Sequence, residues 1–259
     1  MLQRPDDGPE YIIGGIDLGP HSRPYLVSIG NALSGHNCGG TLISPNAVLT
    51  SAHCFDDNGT FAPLDWVDFN RHNLTDNTAV LRMFLSPIEN VNVVKHPDYS
   101  KELTDNDFAV ILLPYPMRDI VPVELNDEHT VPVSEDVLET FGWGAIGYKD
   151  TDNPPYEYPN IPQTTFVSYV PNDECMTLPY TWAPGQITSN MMCAYGSGTS
   201  APCVGDSGTL PSLSHISDFY LKTPTIPLTH FFSFFYSRGI CRWSNCQIYA
   251  VWSCTSRHY

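Results

Sequence analysis

Three short sequences contain the residue types that nucleophilic catalysis requires. They are, in chain order, Leu49-Thr50-Ser51-Ala52-His53-Cys54, Asp105-Asn106-Asp107 and Gly205-Asp206-Ser207-Gly208. A serine hydroxyl is a weak nucleophile at neutral pH and needs a neighbouring base. Histidine can be that base when a buried carboxylate fixes its tautomer. The candidates for these three roles are therefore Ser207, His53 and Asp107.

Each of the three sequences, taken singly, also has a structural interpretation. A histidine beside a cysteine is usually a packed residue, and an aspartate that opens an apolar strand is usually a turn or cap. Gly-Asp-Ser-Gly is a natural tight turn. The prediction of catalysis therefore depends on the three sequences occurring together and in this order.

Short β-type runs must position these residues. Frequent Pro and Gly, with no sustained 3.6-residue period, predict an all-β sandwich or barrel. The runs before the middle of the chain are residues 25–29, 40–43, 47–50, 78–81, 91–94 and 108–113. The pattern breaks at Pro114, so an inter-domain connection is expected near residues 114–124. Strands resume at 138–144 and 165–170, and residues 171–176 begin like a short helical turn.

Composition limits the classes of partner. The chain has 259 residues, 42% of them hydrophobic, which is enough for a buried core. It has 28 acidic and 12 basic side chains and a formal net charge of −16. This acidic excess argues against nucleic acid and anionic membrane surfaces as partners. No apolar run reaches the length of about 18 residues that a membrane span needs, so none is expected.

Eight cysteines indicate disulfides and an oxidising compartment, because they are even in number and widely spaced. No pair has the C-x-x-C spacing of zinc or thioredoxin-type sites, and no metal is expected. Two Asn-x-Thr sequons, at Asn58 and Asn73, fit a secreted chain. The first seven residues lack the apolar region of a signal peptide. The chain is either not exported conventionally or preceded by a missing segment, and the cysteines favour the second interpretation.

Together these sequences resemble the trypsin/chymotrypsin-like serine endopeptidases. Besides the three catalytic blocks, Ile12-Ile13-Gly14-Gly15 resembles the family's N-terminus after zymogen cleavage, Cys38-Gly39-Gly40-Thr41 the start of its histidine block, and Gly142-Trp143-Gly144 its second-barrel opening. The resemblance covers residues 12–208. It implies two six-stranded antiparallel Greek-key β-barrels, at about 12–117 and 124–208, after a propeptide remnant at 1–11. It also implies a secreted monomer, made as a zymogen, that acts on protein or peptide substrates without a cofactor.

The resemblance assigns a role to each matching position. His53 would be the general base, Asp107 would orient it, and Ser207 would be the nucleophile. The backbone N–H groups of Gly205 and Ser207 would form the oxyanion hole. Asp206 would pair with the ammonium of Ile12 that cleavage after residue 11 releases.

The cysteine pairs also follow from the resemblance rather than from spacing. It implies the disulfides Cys38–Cys54 and Cys175–Cys193. The family would also pair Cys203 with a later cysteine, and Cys241, Cys246 and Cys254 stay open as its partner.

Several positions depart from the family pattern. Tyr11 stands where trypsin-like zymogens commonly have Arg or Lys. Ala201, six residues before the nucleophile, would form an uncharged floor of the specificity pocket together with Ser200. Substrates with an apolar or small side chain are therefore expected. Thr209-Leu210 replaces the family's Gly-Pro, and the pocket-lining Ser-Trp-Gly strand is not recognisable.

Residues 209–259 differ from the rest of the chain. They carry one acidic and four basic side chains and one glycine, whereas residues 1–208 carry 27 acidic and eight basic ones. We favour a retained intron or a shifted frame over a divergent tail, and either would leave the second barrel incomplete. The leading functional hypothesis is a serine endopeptidase. The alternatives are a catalytically inert homologue that binds or inhibits a partner and a β-rich binding domain with coincidental motifs.

Overall fold

Two antiparallel β-sheets contain nearly all the regular structure. The computed structural model describes residues 15–56, 63–85, 92–126, 132–148, 156–176, 187–196, 202 and 205–209, with the backbone of 212–213, 233–235 and 249–253. The strands are β1 (Ile16–Asp17), β2 (Leu26–Asn31), β3 (Gly35–Ser44), β4 (Ala47–Thr50), β5 (Trp66–Phe69), β6 (Leu81–Phe84), β7 (Asn92–Lys95), β8 (Ala109–Leu112), β9 (Val137–Gly142), β10 (Gly147–Tyr148), β11 (Tyr156–Glu157), β12 (Gln163–Val170), β13 (Met191–Gly196), β14 (Ser212–Leu213), β15 (Ser233–Phe235) and β16 (Tyr249–Ser253). Helix is limited, in these residues, to a 3₁₀ turn at Ala52–Phe55 and to α1 (Asn172–Cys175).

The first sheet has the strand order β6-β5-β2-β3-β4-β8-β7. The interior strand β2 is buried along its whole length, including its polar residues Ser28 and Asn31. The sheet curls around one hydrophobic core, whose fully buried members include Val27, Ile29, Leu42, Val48, Phe69 and Ile111. Burying each such side chain stabilises the fold by about 1.5–3 kcal/mol.

The second sheet has the order β14-β9-β12-β13-β16-β15, and β1 pairs with β12 beside this path. The first barrel was expected from about residue 12, yet β1 pairs with the second sheet. Three of the seven strands, β14, β15 and β16, come from the tail after residue 208. The gap that the sequence predicted in this barrel is thus occupied in part, because β16 takes the hydrogen-bonding edge of β13.

These two curled sheets confirm an all-β fold of the chymotrypsin-like barrel type. Each has seven described strands rather than the expected six, and in the second sheet the short strands β1 and β14 add to the count. The run at residues 78–81 is also not a strand throughout. Ala79 has a φ of +62°, which is left-handed backbone, so this segment turns before β6 begins at Leu81.

The seam between the sheets is apolar at its centre and polar at its margin. Leu18, Leu26, Phe141 and Trp143 form a buried cluster there. Beside it, Arg23 forms an ion pair with Glu139, and the guanidinium lies over the Phe141 ring. This seam brings residues of both sheets together in one site.

Candidate active site

The pairing of β4 with β8 places His53 beside Asp107. Thr50, the last residue of β4, pairs with Ala109, the first residue of β8. Because the strands are antiparallel, the segment after β4 and the segment before β8 lie at the same end of the two strands. His53 lies in the 3₁₀ turn after β4, and Asp107 lies two residues before β8.

Asp107 contacts His53 through both carboxylate oxygens. Oδ1 accepts a hydrogen bond from the backbone N–H of His53 at 2.6 Å, and Oδ2 contacts the ring atom Nδ1. Asp107 is fully buried, whereas the His53 side chain is 31% exposed. Burial raises the pKa of Asp107, and the hydrogen bonds from His53 only partly offset this effect. With its proton on Nδ1, His53 can accept another proton at Nε2.

The segment 205–209 brings Ser207 onto the first sheet. The backbone N–H of Gly39, in β3, donates to the carbonyl oxygen of Ser207 at 2.8 Å. Gly208 has a φ of +90°, and a Cβ on it would overlap the hydroxyl oxygen of Thr50 and approach the N–H of Ser51 within 3.0 Å. The chain after Ser207 therefore lies against the two residues that precede the His53 turn.

Gly205 is held from both sides. Its φ of +104° favours glycine, and a Cβ on it would lie 3.1 Å from the Cα of Gly144. Its carbonyl oxygen lies 3.1 Å from Nε2 of His36, which must donate because a carbonyl can only accept. Nδ1 of His36 then accepts from the Ser28 hydroxyl at 2.7 Å. Burial is the main cause that lowers the pKa of His36 to about 4, so the ring is neutral at pH 7.

Asp206 occupies a compartment formed by two glycines of β9 and the following turn. Its carboxylate accepts a hydrogen bond from the N–H of Gly144 at 2.7 Å and is 1% exposed. A Cβ on either Gly142 or Gly144 would overlap the carboxylate oxygens. The sequence Gly142-Trp143-Gly144 is thus required by the space that the Asp206 side chain occupies.

Cysteines fix the flanks of the site. The structure contains both disulfides that the resemblance implies, Cys38–Cys54 next to His53 and Cys175–Cys193 in the second barrel. Among the described residues, Cys38, His53 and Cys54 lie close enough together to share a metal ion. They are not a metal site, because both sulfur atoms are bonded to each other and neither is a thiolate.

Comparison with known proteins identifies the family. The family model described as Trypsin matches residues 12–209. The chain belongs to the trypsin family. It is 32% identical over 215 residues to Trypsin-4 of Rattus norvegicus, which covers 79% of this chain and 75% of that protein. It is 31% identical to Granzyme M of Rattus norvegicus over 205 residues, 76% of this chain and 72% of that protein. Membership places the chain in the general class of serine endopeptidases, which are hydrolases.

The trypsin-family match ends at residue 209, one residue beyond the resemblance found in the sequence. Thr209, which stands in place of a family glycine, is fully buried. Its methyl group occupies space beside Gly39 that a Cβ on that glycine would fill, and its hydroxyl donates to the carbonyl oxygen of Asp206 at 2.9 Å. The substitution at 209 is therefore accommodated without loss of the turn that carries Ser207.

Some predicted site residues lie outside the described part of the chain. These are Ile12 of the activation site, Ser200 and Ala201 of the specificity pocket, and Cys203. In the part of the chain that the structure describes, no helix is long and apolar enough to cross a membrane.

Sequence reasoning missed three groups around the site. His36 and Ser28 contact each other only through the register of β2 and β3, which no sequence motif reported. Asp56 belongs to none of the motifs, yet its side chain is only 10% exposed. It accepts hydrogen bonds from Lys95 and Tyr99, each at 2.7 Å. Burial alone would raise the pKa of Asp56, and these two partners outweigh burial and lower it.

Proposed function

We propose that this chain is a secreted serine endopeptidase that hydrolyses peptide bonds through an acyl-enzyme, with Ser207, His53 and Asp107 as its catalytic residues. The observation that carries the proposal is the double contact between buried Asp107 and His53. The turn that contains Ser207 packs on the same sheet, through the hydrogen bond from Gly39. A buried carboxylate that fixes the tautomer of a histidine is what a serine nucleophile needs.

The proposed reaction has two steps, formation of the acyl-enzyme and its hydrolysis. The Ser207 Oγ bonds to the substrate carbonyl carbon, and its proton moves to Nε2 of His53. The C–N bond then breaks, and His53 returns this proton to the leaving amine. Water repeats the sequence on the acyl-enzyme and releases the acid. Asp107 stabilises the His53 cation throughout without taking its proton.

The backbone around Gly205 would stabilise the negative charge that develops in the reaction. The N–H groups of Gly205 and Ser207 would donate to the oxygen that becomes negative in the tetrahedral intermediate. The positive φ of Gly205 and the hydrogen bond from His36 to its carbonyl support this assignment, since they fix the orientation of the loop. Removal of one such donor typically costs about 3–4 kcal/mol of transition-state stabilisation.

Zymogen processing would complete the site. We propose that cleavage after Tyr11 frees the ammonium of Ile12, which then pairs with Asp206. The burial of the Asp206 carboxylate supports this role, because a charge pair is stronger where water is excluded. The uncharged residues Ser200 and Ala201 favour substrates with an apolar or small side chain. The tail 209–259 remains, in this proposal, a translated intron or frame-shifted segment.

An inert homologue that binds a partner is the second candidate. The end of the family match at residue 209, before the strand that would line the pocket, favours it. A fluorophosphonate probe, applied to the full chain after cleavage at Tyr11–Ile12, separates the two. Stoichiometric labelling of Ser207, absent in Ser207→Ala, supports the enzyme. Folded, cleaved protein that does not label would reject it.

A further inference from the structure

Asp105 links the loop of Asp107 to the second barrel. It lies two residues before Asp107, in the first barrel, and its carboxylate faces the opposite barrel. Oδ1 accepts a hydrogen bond from the Thr188 hydroxyl at 2.8 Å, and Oδ2 lies 3.4 Å from Nδ2 of Asn190. Both partners precede β13, so Asp105 makes a polar contact across the seam beside the candidate catalytic aspartate.

The second-barrel side of this contact is firmly anchored. The carbonyl oxygen of Thr188 accepts from Nδ2 of Asn172 at 3.0 Å, and its hydroxyl accepts from the N–H of Asn190 at 3.2 Å. Asn172 begins α1, whose last residue, Cys175, is in the disulfide to β13. A hydroxyl held in this way has little freedom to move away from Asp105.

In the first barrel, hydrogen bonds connect Asp105 to the turn that leads into Asp107. The N–H of Asn106 donates to Oδ1 of Asp105 at 3.0 Å, and the Asn106 amide donates to the carbonyl oxygen of Asp98 at 3.1 Å. Asn106 has a φ of +52°, so the chain turns sharply between Asp105 and Asp107. The backbone of Asp105 also accepts from the N–H of Ser100 at 3.0 Å. A displacement of Asp105 must therefore displace Asp107.

We infer that Asp105 is a positioning residue, which together with Thr188 sets where Asp107 and His53 lie relative to Ser207 of the other barrel. It acts through Asp107 and does not touch substrate. The inference rests on the proposed roles of Asp107, His53 and Ser207. Small displacements of catalytic groups can reduce turnover by up to about 100-fold, so loss of this contact is expected to lower kcat and leave KM unchanged.

Five variants of the full chain, four single and one double, test the inference. Asp105→Ala and Thr188→Val remove one partner each, and Asp105→Asn keeps an oxygen that can accept from Thr188. Ser44→Ala is the matched control, because it removes an exposed side-chain hydrogen bond, to Asn46, elsewhere in the first barrel. We expect kcat to fall about tenfold in the first two variants, and no further in Asp105→Ala/Thr188→Val. Asp105→Asn should stay within about threefold of the wild type, and Ser44→Ala should match it.

A second readout does not require turnover. The His53 Nδ1 proton, observed by low-field ¹H NMR, reports its bond to Asp107, and it should shift or broaden in Asp105→Ala and Thr188→Val but not in Asp105→Asn or Ser44→Ala. If the wild type does not react with fluorophosphonate but the two single variants still show these shifts, the proposed function is contradicted and the positioning role of Asp105 is retained. The inference is overturned if the Nδ1 signal is unchanged in both single variants, or if they lower Tm alone at wild-type kcat.

Discussion

Nε2 of His36, on β3, donates a hydrogen bond of 3.1 Å to the carbonyl oxygen of Gly205, in the turn that carries Ser207. The first barrel thereby holds the loop that would bind the oxyanion. The bond to Gly205 needs only the proton on Nε2, whereas the contact with Ser28 needs a neutral ring whose Nδ1 accepts from the Ser28 hydroxyl. Protonation of Nδ1 would remove that acceptor and place a charge beside Arg71, which disfavours it further. The contact between His36 and Ser28 is therefore sensitive to acid, while Nε2 can still donate to Gly205.

Stability should fall in mild acid because of His36. The pKa of His36 is lowered from 6.5 to about 4, so between these values the unfolded chain binds a proton that the folded chain does not. The free energy of unfolding is therefore expected to decrease as pH falls from about 6.5 to 4, by at most about 3 kcal/mol. Urea unfolding across this range measures it. The His36→Gln variant, which can donate to Gly205 and accept from Ser28, should have a shallower slope; an identical slope would contradict the assignment.

Replacing Ser207 should separate catalysis from folding. Ser207→Ala removes only the hydroxyl oxygen, while the backbone contact of Ser207 with Gly39 is kept. We expect kcat to fall roughly 10⁶-fold with the unfolding midpoint nearly unchanged. Peptide hydrolysis and urea unfolding of the cleaved protein check both parts. Undiminished hydrolysis in this variant would show that Ser207 is not the nucleophile.

Gly144 should not tolerate a side chain. A Cβ there would overlap the Asp206 carboxylate, so Gly144→Ala is expected to displace Asp206 and the Gly205–Ser207 turn. We expect fluorophosphonate labelling to slow by about 100-fold, in line with the loss of one oxyanion donor. Gly19→Ala is the matched control, since its Cβ would meet only Ser22 atoms at 3.9 Å. Equal labelling of the two variants would contradict the packing argument.

Arg71 should be a major source of stability in the first barrel. Its guanidinium pairs with buried Asp68 at 2.5 Å and donates to the carbonyl oxygens of Asn73, Leu74 and Asp76. Arg71→Ala leaves the buried Asp68 carboxylate and the three part-buried carbonyl oxygens without that donor and should destabilise the fold by about 3 kcal/mol, even though Arg82 still pairs with Asp68. Arg71→Lys should recover only part of this, because an ammonium cannot span the same acceptors. Thermal unfolding of the three proteins decides; equal Tm values would refute the prediction.

Asn73 should accept an N-linked glycan when the chain passes through the secretory pathway. Its Oδ1 accepts from both the N–H and the hydroxyl of Thr75, at 2.9 and 2.8 Å, and no described residue accepts from its Nδ2. Attachment at Nδ2 therefore breaks none of the described hydrogen bonds. Mass spectrometry before and after glycosidase treatment of secreted protein should show the glycan in the wild type and Thr75→Ser. It should be absent in Thr75→Val, and an unmodified wild-type peptide would contradict the prediction.

Local sequence was sufficient to select most candidate residues of the site. Three short motifs select His53, Asp107 and Ser207 by their chemistry. The flanking glycines and the two cysteine pairs follow from the family resemblance. The glycines were informative for a physical reason, because Gly144 and Gly208 are places where another chain segment passes too close for a Cβ. The all-β fold followed from short apolar runs and frequent Pro and Gly.

Only the tertiary structure decided which distant groups meet. The contacts of His36 with Gly205 and of Asp105 with Thr188 join residues more than 80 positions apart in sequence. Each depends on strand register and on how the two sheets meet at the seam, and no local pattern encodes either. The tail, which lacks a family motif, still provides β16 as a neighbour of β13. Strand pairing uses backbone groups, which every sequence carries.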